Sequence, residues 1–101
     1  MTDAIRVLVA PSHLGLETRA EFRRAAVELL DALPEETGCL VLDVSLSRLV
    51  DSAGLGTLVL IQQHASARRQ YVKLRGVSEE LHLLLALTKL EDMFQRDAGP
   101  S

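Results

Sequence analysis

Aromatic side chains are almost missing from this chain, which has two Phe, one Tyr and no Trp. That scarcity removes the stacking platforms on which single-strand nucleic-acid binders rely, and it leaves Leu, Val, Ile and Ala to build the core. Cysteine is reduced to Cys39, so no intrachain disulfide can form and nothing points to an oxidising compartment. Between Gly38 and Leu40, Cys39 reads as a small buried apolar residue. Neither sign of charge is in large excess. A net charge of -3 gives no sign of a nucleic-acid surface or of a patch for anionic membranes. Long apolar runs are lacking too: Leu58–Ile61 and Leu83–Leu87 fall far below the ~20 residues that span a bilayer. Met1-Thr2-Asp3-Ala4 carries no basic segment, so no signal peptide and a cytoplasmic location are expected. His13, His64 and His82 share no metal-ligand spacing with one another or with Cys39, and Gly54-Leu55-Gly56 lacks the lysine of a nucleotide phosphate loop. No metal, cofactor or enzymatic constellation is therefore expected.

What is present is a regular alternation of elements. A length of 101 residues suits one domain with one core. Ile5–Ala10 reads as a strand stopped by Pro11. Helical spacing follows from about Leu16 to Leu33, with Phe22, Ala25, Ala26, Leu29, Leu30 and Leu33 on one stripe. Pro34 and Gly38 lead into a second strand, Leu40–Val44, and a second helix runs from about Ala53 to Arg69. Tyr71–Arg75 alternates as a third strand, closed by Gly76. Ser78, Glu79 and Glu80 open a third helix through about Leu87, with room for an extra turn up to Phe94. That helix has little polar face, so it is either buried on two sides or greasy towards a partner. Arg68, Arg69, Lys73 and Arg75 form a small basic cluster, read as a solvated end. The domain is expected over residues 1–96, with 97–101 as a flexible tail. Strands joined by helical crossovers predict an α/β fold: a mostly parallel sheet of about four strands with helices packed mainly on one face.

Asp51-Ser52-Ala53-Gly54-Leu55-Gly56 stands between the second strand and its helix. Ser52 is placed to cap that helix, and a phosphate on it would meet the free N–H groups of Ala53 to Leu55 at the positive end of the dipole. Gly54 and Gly56 carry no side chain to crowd a phosphate or a kinase loop. Asp51 would repel the added charge, so phosphorylation is expected to be felt by a partner rather than by the fold.

The hexapeptide in this setting resembles the STAS domain, and more narrowly the bacterial anti-sigma-factor antagonists. Val41-Leu42-Asp43-Val44-Ser45 is similar to the family's central strand with its terminal acid. Val72–Ser78 resembles the exit of its third strand, and Leu84–Leu90 followed by Phe94 resembles its closing helix. The resemblance implies that Ser52 is phosphorylated by a GHKL-type partner that is both serine kinase and anti-sigma factor. It implies that the unphosphorylated protein binds that partner and releases its client, and that a PP2C-type phosphatase restores this form. Asp43, Asp51, Ser52, Ala53, Gly54, Leu55 and Gly56 are the partner-binding candidates it implies. Asp51 either contacts the kinase and orients the hydroxyl or simply solvates a loop, and Asp43 either meets the partner or only ends its strand. A weak homodimer is compatible with the family.

Two departures stand out. Family members usually begin with an additional strand, and they carry a Gly-x-hydrophobic-Asp turn before the first helix. Here only about ten residues precede Pro11, and the turn reads Ser12-His13-Leu14-Gly15, with Gly15 where the acid would sit. A missing or short edge strand and an altered partner contact at that turn are expected. STAS domains also act as non-catalytic accessory subunits on the ATPase of phospholipid-transport ABC systems, which is the alternative. Those tend to carry threonine at the switch position followed by two glycines, whereas Ser52-Ala53-Gly54 stands here.

Overall fold

The computed structural model describes residues 4–97. Strand β1 (Ile5–Val9), the two-residue strand β2 (His13–Leu14), helix α1 (Arg19–Ala32) and strand β3 (Cys39–Asp43) come first. They are followed by the two-residue strand β4 (Leu49–Val50), α2 (Ser52–Ala67), β5 (Tyr71–Arg75), α3 (Glu79–Leu87), a 3-10 turn (Glu91–Met93) and β6 (Gln95–Asp97). The main sheet has the order β1-β3-β5-β6, and all its pairs are parallel. Parallel neighbours need long crossovers, and α1, α2 and α3 supply them in turn. The expected α/β architecture is thus the observed one.

Strand alternation divides the sheet into two unlike faces. Leu40, Leu42, Val72 and Leu74 point into the core with Phe22, Ala26, Leu30, Leu58, Ile61, Ala65, Leu81 and Leu85 from the three helices. The other face carries Ile5, Val7, Val9 and Tyr71, all substantially exposed, around buried Cys39 and Val41. Burial pushes the Cys39 thiol up, against the weaker pull of Lys73. The third helix buries Leu81 and Leu85 but leaves Leu83 and Leu87 exposed, so it is greasy on its outer side and not enclosed on two.

Three local expectations change. The extra turn before Phe94 is a short 3-10 turn, and it leads into a fourth strand. Asp97 belongs to that strand, where its carboxylate meets Arg75 Nη2 at 2.7 Å, because strand pairing places it beside Arg75. The remaining tail, 98–101, lies outside the described residues. Most of the basic cluster is neutralised: Arg68 faces Asp31 and Glu35 at 3.7 Å each, and Arg69 faces Glu36 at 3.5 Å. Among the described residues β1 is the outermost strand on its side of the sheet.

Candidate functional site

The two short strands build the ground on which the hexapeptide stands. β2 pairs in parallel with β4, matching His13 with Leu49 and Leu14 with Val50. Ser47, buried, donates its hydroxyl to the Pro11 carbonyl at 2.7 Å, and the Arg48 amide bonds to the Ser12 carbonyl at 2.8 Å. The segment before α1 is thereby clasped to the segment before α2. The Asp51 amide continues the contact by donating to the Leu14 carbonyl at 3.2 Å.

Asp51, not Ser52, caps α2. It has extended backbone, and its Oδ1 accepts from the Gly54 amide at 2.9 Å. Asp and Ser are both good caps, but only one residue can stand just outside the first helical one, and the β4 clasp puts Asp51 there. Oδ2 accepts from the Leu16 amide at 3.3 Å and lies 3.5 Å from His13 Nε2. The Gly54 amide above all holds the Asp51 carboxyl below the usual carboxylate range; burial opposes it, and the Leu16 amide, His13 and the Ala53 amide add lesser pulls in the same downward direction.

Ser52 is therefore the first residue of α2. It is exposed, and its hydroxyl makes no hydrogen bond to any described residue. The amides open to a phosphate also differ from expectation, since Gly54 N–H is taken by Asp51 Oδ1 and Leu55 N–H by the Asp51 carbonyl at 2.9 Å.

The two glycines have separate jobs. A Cβ at Gly54 would fall 2.0 Å from the Leu14 carbonyl oxygen, so this glycine serves the approach of α2 to β2 and not the approach of a partner. A Cβ at Gly56 would meet nothing within 4 Å, so that position keeps its expected openness. Leu55 is core. Ala53 and Gly56 join Ser52, Thr57 and Leu60 along one wall of an open groove of about 680 Å³, whose other wall is Arg19, Ala20 and Arg23 of α1. The arginines escaped the reading of the chain, although their spacing of four on α1 put them on one face.

Asp43 is not drawn into this group by any described hydrogen bond. Its Oδ1 accepts from the Ser45 hydroxyl at 2.6 Å and the Ser45 amide at 2.9 Å, closing the turn after β3. The Ser45 hydroxyl first, then its amide, lowers the Asp43 carboxyl, with a lesser pull from Arg75. Gly15, at the place of the family's acid, lies against the site: a Cβ there would fall 2.2 Å from Asp51 Oδ2.

Comparison with known proteins agrees with the sequence and the fold. TM1081 of Thermotoga maritima, a protein named for a proposed role as an anti-sigma factor antagonist, superposes with a TM-score of 0.80 at 22% identity, covering 98% of this chain and 84% of that one. Its structure by NMR gives 0.78 at 21% identity, covering 96% and 76%. A sulfate transporter family protein from Wolinella succinogenes gives 0.74 at 15% identity, covering 88% and 70%. No helix among the described residues is long and apolar enough to cross a membrane. A family model described as "Mlab, STAS domain" matches residues 1–95, and the chain belongs to the STAS-domain family.

Proposed function

We propose that this protein is an anti-sigma-factor antagonist, a cytoplasmic partner-switching regulator that does no chemistry itself and is controlled at Ser52. The observation that carries this is the spare, exposed hydroxyl of Ser52 at the start of α2, left free because Asp51 does the capping. A serine there can be reached and modified without dismantling the helix. The fold likeness to TM1081 is consistent with the same role. In its unmodified form the surface around Ser52, with Asp51, Ala53 and Gly56 beside it, binds a GHKL-type serine kinase that is also the anti-sigma factor. Phosphorylation adds about two negative charges at neutral pH. A surface that accepts a neutral hydroxyl rejects such a group by several kcal/mol through repulsion and desolvation. A PP2C-type phosphatase returns the protein to the binding form.

The test is copurification from the native host with Ser52→Ala and Ser52→Asp variants. The alanine form is expected to retain the kinase and the aspartate form to lose it. Equal retention by both would rule out the switch.

A second reading has one specific observation in its favour. The matching family model carries the description Mlab and not that of an antagonist, which suits an accessory subunit of a phospholipid-transport ABC system. In that case both variants would copurify with an ABC ATPase and with no kinase.

A further inference from the structure

Only some cations of this domain are paired, and Arg24, Arg48, Lys73 and Lys89 make no ion pair with a described residue. Arg68, Arg69 and Arg75 all sit against carboxylates. Arg19 and Arg23 do not: neither makes an ion pair or side-chain hydrogen bond with a described residue. Both line the groove whose opposite wall begins with Ser52, and no carboxylate lines it. Arg19 is the first residue of α1, where the positive end of the helix dipole disfavours a cation, and Arg23 stands one turn on along the same face. The facing wall is made of small side chains at Ala53 and Gly56, which leaves the space between the helices open.

We infer that Arg19 and Arg23 form an intramolecular receptor for the phosphate of phosphorylated Ser52, drawing it into the groove between α1 and α2. The inference rests on Ser52 being the phosphorylated residue. Guanidinium groups bind phosphate through paired, charge-assisted N–H donors, and two of them offset the repulsion from Asp51 across the cap. Phosphorylation then changes the partner surface twice over: it places charge at Ser52 and withdraws two arginines from any acidic group a partner offers them. No bond other than the serine phosphate ester is made or broken.

The clamp can be tested without the kinase, on full-length protein carrying genetically encoded phosphoserine at position 52. The readout is the second ionisation of the phosphate, followed by phosphorus NMR against pH. The charged groups placed around it are Arg19 and Arg23 from α1, Asp51 at the cap and His13 beyond it. In the otherwise unchanged protein this ionisation is expected below the value of about 6 for a free phosphoserine. The Arg19→Gln/Arg23→Gln double variant should raise it by about 1 pH unit, and Arg24→Gln, outside the groove lining, should leave it in place. Equal values for the unchanged protein and the double variant would overturn the clamp, as would an equal rise in the Arg24 variant, which would mark a diffuse effect of net charge. Copurification with the Ser52 variants is read separately, so a failed clamp and a failed switch are told apart.

Discussion

Two helices of this domain start beside a serine, and the two serines are used in opposite ways. Ser78 occupies the cap of α3, and its hydroxyl accepts from the Leu81 amide at 3.1 Å. Ser52 lies one position inside α2, because Asp51 holds the equivalent place and takes the Gly54 amide. A hydroxyl committed to a helix end belongs to the fold. One displaced by a single residue, and exposed, is left over for another molecule. The difference lies in what precedes each helix: the turn at Gly76, packed against Ser45, for α3, and the β2–β4 clasp for α2.

The sharpest way to break this contrast is to disturb the clasp. Gly54→Ala forces a methyl into the Leu14 carbonyl and should cost about 3 kcal/mol, read as a drop in the urea unfolding midpoint. Gly56→Ala, two residues on, faces open space and should gain about 0.5 kcal/mol from helix propensity. Equal effects would show that α2 does not need its close seat on β2.

Capping separates the serines next. Asp51→Ala and Ser78→Ala should each cost about 1 kcal/mol. Ser52→Ala should stay within about 0.5 kcal/mol of the unchanged protein, as an exposed side chain without partners does. A Ser52→Ala penalty as large as that of Ser78→Ala would return Ser52 to the role of cap.

The smallest effect is expected with acid. The Asp51 carboxyl is held low in the folded protein, so its ionised form favours the native state. That contribution is complete above the ordinary carboxylate value of about 3.9 and disappears as the pH falls through the lower folded value. Asp51→Asn keeps a capping oxygen without the charge. Its deficit against the unchanged protein should be larger at pH 7 than at pH 3, and an unchanging deficit would mean that the cap works without its charge.

Periodicity made most of the scaffold legible. The stripe of α1 is buried or half-buried at every expected position, and the third strand runs over the expected Tyr71–Arg75. β6 was missed because Gln95-Arg96-Asp97 is polar and only three residues long, with no alternation to read. β2 and β4 have two residues each, and their pairing depends on buried Ser47 reaching Pro11. Without that clasp in view, the chain reads with Ser52 as the cap, the place that Asp51 takes in the fold. The hexapeptide itself stood out, but Arg19 and Arg23 came to face it only through the packing of α1 beside α2.

Gly15 has a consequence for how this sequence can change over generations. The space a side chain would take at position 15 is already filled by the carboxylate of Asp51. An ancestor or descendant with an acid at 15 would have to move or shorten the residue at 51. Any side chain at 15 has to displace Oδ2 of Asp51 from the Leu16 amide, while Oδ1 keeps its bond to the Gly54 amide.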